Sequence, residues 1–282
     1  MSPERPKLFL YRRQADAPRG TLFYIHGLGE SGRCFEQLMA DPGLRSWNHL
    51  AADLPGYGRS PWADEPLTLA EHAVRLGELL DATCDEPVVV VGHSMGGVIG
   101  TLLAEHSPRR VRAFVNVEGN ISLDDCNYSS QAARWSEDAW LTDGFDEFLG
   151  HLSRDAQKSE TPTSEVLRRY HASARLCDPR AFHRNGVDLV AASRKEDLAS
   201  RMAAIDRPRA YVYGSPRGTG SHSRDLLTAA GIEPVDVRDA GHWPFLDQHE
   251  IFVTMIRAFL GRGGRGEESS PWRDPARAWS AC

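Results

Sequence analysis

Short apolar, β-branched runs alternate with helix-periodic segments along most of this chain. The clearest pair lies in its first half. Val88-Val89-Val90-Val91 is a continuous apolar run, the pattern of a strand buried on both faces. Met95, Val98, Ile99, Leu102 and Leu103 then recur at the spacing of one helix face. Further strands are predicted at Leu8 to Arg12, Thr21 to Ile25, Trp47 to Ala51, Val111 to Val117, Ala210 to Tyr213 and Pro234 to Val237. Helical patterns fall between them. Ser31 precedes one through Cys34, Phe35, Leu38 and Met39, and Thr68 caps one carrying Leu69, Ala73, Leu76 and Leu80. Another lies around Leu226 to Ala230, and a last one runs through Ile251, Phe252, Met255, Ile256, Phe259 and Leu260. Strands alternating with helices predict an α/β fold: a mostly parallel sheet flanked by helices on both faces.

The rhythm breaks at Ile121. From there to Ala192 the pattern is helical and polar-rich, with no good strand. Residues 1–120 and 193–260 therefore read as one core, and 121–192 as a helical insertion. From Gly261 to Cys282 the chain is rich in Gly, Arg, Glu, Ser and Pro, with two isolated tryptophans, and a disordered tail is expected.

Composition narrows the function classes. A chain of 282 residues buries a substantial core, and 41% hydrophobic with 26% charged residues is ordinary for a soluble globular protein. A net charge of −6 offers no basic surface for nucleic acid or an anionic membrane. No stretch approaches the ~18 apolar residues of a membrane span. Met1 to Lys7 lacks the apolar core of a signal peptide. Cys34, Cys84, Cys126, Cys177 and Cys282 are scattered without a C-x-x-C, which reads as reduced thiols in a cytoplasmic protein. There is no H-E-x-x-H and no Cys/His cluster at ligand spacing, so no metal and no cofactor are expected.

The chemistry gathers at strand ends. Gly92-His93-Ser94-Met95-Gly96 is a G-x-S-x-G set between a buried strand and a helix, the context of a nucleophile elbow. The turn strains Ser94 and lifts its hydroxyl clear of the sheet. A serine hydroxyl is a weak nucleophile and needs an adjacent base. His242, in a short loop between the last strand and the last helix, is the best candidate. Met95, first in the helix after the serine, can point its backbone N–H at an oxyanion. His26-Gly27-Leu28-Gly29-Glu30-Ser31-Gly32 forms a glycine-rich loop after another strand, and His26 there reads as a brace rather than a reactant. In open parallel sheets, sites gather beyond the carboxyl ends of strands, where all these residues fall.

These segments together resemble the α/β-hydrolase superfamily from about Leu8 to Leu260. His26-Gly27, Asp53-Leu54-Pro55-Gly56-Tyr57-Gly58-Arg59-Ser60, Gly92-His93-Ser94-Met95-Gly96-Gly97 and Gly241-His242 carry the match, in the superfamily's order. The resemblance implies an eight-stranded sheet and a helical cap inserted after the strand that ends at Glu118. It also implies Leu28 as the second oxyanion donor and His242 as the catalytic histidine. The superfamily usually places an aspartate shortly after the strand at Ala210 to Tyr213. Here that segment reads Gly214-Ser215-Pro216-Arg217-Gly218, with no carboxylate before Asp225. Some members, notably haloalkane dehalogenases, carry the acid one strand earlier. Glu118 stands at that place and is the expected acid, with Asp225 and Asp239 as alternatives.

The expected function is a serine hydrolase that cleaves a small-molecule carboxylic ester, thioester or lactone through an acyl-enzyme. Ser94 is the nucleophile, His242 the base and Glu118 the orienting acid, with Leu28 and Met95 amides as the oxyanion hole. A serine at the elbow argues against the dehalogenases and epoxide hydrolases of this fold, which carry aspartate there. A cofactor-free C–C lyase or cyclase, or a non-catalytic ligand-binding member, is the alternative; the Ser–His pair favours hydrolysis over the receptor reading. Trp135, Trp140 and Phe148 in the insertion, and Trp243 beside His242, are expected to face the substrate. Aromatic residues at helical spacing are also what the insertion's own core would require.

Overall fold

The structure, a computed structural model, describes residues 7–158 and 163–262. Its strands are β1 (Leu10–Arg13), β2 (Thr21–Ile25), β3 (Asn48–Ala52), β4 (Val88–His93), β5 (Val111–Val117), β6 (Arg209–Arg217) and β7 (Val235–Gly241). They form one sheet in the order β1-β3-β2-β4-β5-β6-β7. All pairings are parallel except that of β1 with β3 at the edge. β4 lies at the centre and is buried at every position. Each of its valines loses its side chain from water, a gain of about 1.5–3 kcal/mol apiece.

Register brings the functional loops together. Ile25 of β2 pairs with Gly92 of β4, and Gly92 pairs with Asn116 of β5. The chain therefore leaves these three strands at one level, and His26, Ser94 and Glu118 follow side by side. Val117 pairs with Val212, and further along β6 Arg217 pairs with Gly241, which delivers His242 to the same end of the sheet.

Two strand expectations change. The described residues form seven strands, not the eight that the resemblance implied. The sequence itself holds only seven β-rich runs, so no segment is left to make another. β6 continues past Tyr213 through Gly214, Ser215 and Pro216 to Arg217. The apolar pattern stops at Gly214, but β7 supplies the pairing, and a register shift at Ser215/Pro216 accommodates the proline.

The helices follow their sequence signals closely where a cap is present. Thr68 closes a capping box with Glu71 at the start of the Leu69–Thr83 helix. Ser31 makes no side-chain cap, and the segment after it is a short 3₁₀ turn, Gly32–Phe35, leading into Glu36–Ala40. Between β5 and β6 the described residues form helices and loops. The longest helices there are Phe145–Lys158, Thr163–Ala174 and Pro179–Ser193, and a shorter one, Leu198–Ala203, extends beyond the expected boundary at Ala192. The last helix, His249–Arg262, takes in the first two residues of the expected tail; the rest of that tail lies outside the described residues. Among the described residues no helix is long and apolar enough to cross a membrane.

Candidate active site

Ser94 sits on the turn between β4 and the Met95–His106 helix with φ 52° and ψ −120°. Such a conformation costs a non-glycine residue about 1–3 kcal/mol and persists only where its surroundings enforce it. Here Ser94 N donates to Val117 O at 2.9 Å, and Gly97 N donates to Ser94 O at 2.8 Å. The flanking glycines make the turn possible. A Cβ on Gly92 would run into the Gly96 carbonyl, and one on Gly96 into the Ile25 carbonyl. Ser94 remains half-exposed and lines a cavity of about 310 Å³.

His242 and Glu118 line the same cavity. His242 Nδ1 lies 3.1 Å from Glu118 Oε2. A carboxylate only accepts, so Nδ1 carries the proton and Nε2 is left with its lone pair. The Glu118 side chain is 2% exposed and that of His242 24%. Glu118 Oε1 accepts from Gly214 N at 2.7 Å and Thr219 N at 3.2 Å. Both donors come from β6 and the loop after it. Gly218 passes so close to Glu118 Oε1 that a Cβ there would meet it. The loop without an acid thus folds over an acid delivered by the neighbouring strand. Asp225 and Asp239 are exposed and do not line the cavity.

The glycine-rich loop borders the cavity through Gly27, Leu28 and Glu30. His26 is fully buried and spans two loops: Nδ1 donates to Gly27 O at 2.8 Å, and Nε2 accepts from Leu54 N at 3.0 Å. That pattern needs a neutral imidazole, and burial holds its pKa down. The Met95 side chain is buried beneath the elbow, and its backbone opens the helix.

Beneath these groups lies a buried pair that carries no sequence signal. His93 Nδ1 meets Glu30 Oε2 at 2.8 Å, and His93 Nε2 donates to His242 O at 2.8 Å. Glu30 also accepts from Gly27 N at 2.6 Å and from Trp243 Nε1. Burial pushes the Glu30 carboxyl up, but the His93 imidazolium and the hydrogen bonds from His93, Trp243 and Gly27 outweigh it and bring it down to about 2. Burial likewise lowers His93, and Glu30 outweighs that and raises it. The partners His93 and Trp243 lie 63 and 213 positions from Glu30, so no local pattern reveals the pair.

Of the four aromatic residues expected to face substrate, Trp243 lines the cavity and the other three do not. Trp140 is fully buried, stacks on Phe182 with ring centres 5.5 Å apart, and donates from Nε1 to Pro179 O. Phe148 packs on Phe182 at 4.9 Å, and Trp135 lies against Gly144. They form the insertion's own core. Its apolar and aromatic contribution to the cavity wall includes Tyr128, Val166, Leu167, Tyr170 and Leu189. Helical periodicity marks which residues turn inward within the insertion; it does not show which ones look down onto the sheet.

A buried acid–histidine pair and a strained serine thus lie together at the carboxyl ends of a parallel sheet. The chain belongs to the alpha/beta hydrolase family, whose sequence pattern matches residues 22–255. Lipase LipV of Mycobacterium tuberculosis is 43% identical over 100 residues, 36% of this chain and 37% of that protein. The pimeloyl-[acyl-carrier protein] methyl ester esterase of Neisseria meningitidis serogroup B is 26% identical over 255 residues, 86% of this chain and 94% of that protein. Among solved structures, Est816, described as an N-acyl homoserine lactone degrading enzyme, shares the fold with a TM-score of 0.70. It is 20% identical, and the match covers 89% of this chain and 97% of Est816.

Proposed function

We propose that Ser94, His242 and Glu118 form a catalytic triad that hydrolyses a carboxylic ester, thioester or lactone through an acyl-enzyme. The observation that carries this reading is the His242–Glu118 hydrogen bond, in the cavity that Ser94 also lines. His242 Nε2 takes the Ser94 proton as Oγ bonds to the substrate's acyl carbon. The amides of Leu28 and Met95 hold the oxyanion of the tetrahedral intermediate. The intermediate collapses, the bond to the leaving oxygen or sulfur breaks, and His242 returns the proton to it. Water then attacks the acyl-enzyme by the same route and releases the acid. Glu118 fixes the imidazole tautomer throughout.

The helical segment between β5 and β6 acts as a cap that closes the cavity over the acyl group. Trp243 supplies the apolar wall beside His242. The substrate is a small-molecule acyl compound, and the free thiols of Cys34, Cys84, Cys126 and Cys177 support a reducing compartment, the cytoplasm. A panel of p-nitrophenyl esters of graded acyl length tests the reading. Saturable hydrolysis that Ser94→Ala abolishes supports it. Hydrolysis that persists in Ser94→Ala overturns it.

A further inference from the structure

A second, larger cavity shares a wall with the catalytic one. Its volume is about 810 Å³, against about 310 Å³ for the cavity that Ser94 lines. Glu30, Val166, Tyr170 and Trp243 line both, and each is at most 7% exposed. Side chains that face both spaces form a partition one residue thick. Val166 and Tyr170 stand four positions apart on one face of the Thr163–Ala174 helix. The Tyr170 ring packs on the Trp243 indole with centres 5.3 Å apart. Both rings are held. Trp243 Nε1 donates to Glu30, which His93 and the Gly27 amide hold in turn. Tyr170 is seated against Gly29, where a Cβ would come within 3.0 Å of its hydroxyl and 3.2 Å of its ring. Beyond the partition, Ala172, Leu176 and Leu246 offer apolar surface, while Arg33 and Arg169 are exposed.

We propose that the Tyr170–Trp243 partition, with Val166 beside it, limits the length of one arm of the substrate, so that the enzyme selects esters compact along that arm. This rests on the ester-hydrolase reading and narrows its substrate class. Ligand cavities span roughly 300–1,000 Å³, and the catalytic one is at the small end of that range. An alkyl arm directed from Ser94 toward Trp243 meets two held rings and does not reach the space behind them. Each methylene that becomes buried is worth about fourfold in binding, so the partition forgoes a gain that the larger chamber would give. Tyr170 is the specificity-determining residue. Its hydroxyl has no hydrogen-bond partner among the described residues, so its role is the space that its ring fills.

The test uses two series of linear esters. p-Nitrophenyl esters from acetyl to dodecanoyl vary the acyl arm, and acetates of alcohols from ethanol to dodecanol vary the other. In one series the wild-type kcat/KM should fall beyond a short chain length. Tyr170→Ala joins the two cavities and should raise the eight-carbon to four-carbon ratio of kcat/KM in that series by about tenfold, the gain from about two newly buried methylenes. Val166→Ala thins the same partition and should shift the ratio in the same direction, which keeps the test open if Tyr170→Ala does not fold. Tyr170→Phe keeps the ring and should keep the wild-type limit. No length limit in either wild-type series, a limit unmoved in the folded alanine variants, or one moved equally by Tyr170→Phe overturns the proposal. Calorimetric titration of butanamide and octanamide into Ser94→Ala, with and without Tyr170→Ala, gives a readout independent of turnover. A preference for octanamide that rises in the double variant supports the partition even if no ester is hydrolysed. An unchanged preference overturns it, whatever the fate of the hydrolase reading.

Discussion

Glu30 and His93 meet at 2.8 Å in the floor of the active site, with side chains 4% and 1% exposed. Through this pair three loops become one unit. His93 belongs to the elbow strand and holds the His242 carbonyl, while Glu30 holds the Gly27 amide and the Trp243 indole. The Ser94 turn, the Gly27–Glu30 loop and the His242 loop thus share one buried anchor, distinct from the Glu118 carboxylate that contacts His242 directly.

Removing one partner of a buried ion pair leaves the other unpaired in low dielectric. Glu30→Gln should therefore lower the unfolding free energy by about 3 kcal/mol, and Glu30→Gln with His93→Gln should lose clearly less than the two single changes added. Urea unfolding of the singles and the double measures this. Strictly additive losses contradict a coupled pair.

The pair also sets a pH window. The Glu30 carboxyl lies at about 2 in the folded protein, against roughly 4.3 unfolded, so its contribution is present above pH ~4.3 and lost as pH falls toward 2. His93 is raised from its unfolded value near 6.5, so its contribution is complete below about pH 6.5 and declines as pH rises through the folded pKa. The coupling energy from the double-mutant cycle should therefore be largest between about pH 4.3 and 6.5 and shrink on either side. A coupling that grows with pH above that range is the opposite sign and rejects the assignment.

Glu118→Gln keeps the shape of the acid but presents an amide to His242. An N–H facing Nδ1 favours the tautomer in which Nε2 is protonated and unable to accept the serine proton. We expect kcat to fall by roughly 10²–10⁴, with Asp225→Asn and Asp239→Asn staying within about threefold of wild type. Steady-state kinetics on one activated ester decides it. A near-normal Glu118→Gln enzyme moves the acid elsewhere.

The sheet was legible because its signals are local. Val88 to Val91 needed only their own apolarity to read as a central strand, and Thr68 and Glu71 only each other to start a helix. Ser94 was legible because glycines that cannot bear a Cβ leave a fixed signature around it. Glu118 is reached as a candidate through what its neighbour lacks: Gly214 to Gly218 holds no carboxylate, and the resemblance offers another place for one. Glu30 was not legible, since its meaning depends on His93 and Trp243 arriving from distant strands. Trp140 shows the converse limit. Its pattern is that of a buried aromatic in a helical layer, and only packing distinguishes a cap core from a pocket wall.

The central claim is that Ser94 is an activated nucleophile, and covalent labelling tests it most directly. A fluorophosphonate probe applied to the folded protein, followed by peptide mass spectrometry, should place the phosphonyl group on Ser94. Labelling should be lost in Ser94→Ala and slowed in Glu118→Gln. Absence of a Ser94 adduct in folded wild-type protein, or labelling that persists elsewhere at the same rate in Ser94→Ala, contradicts the account.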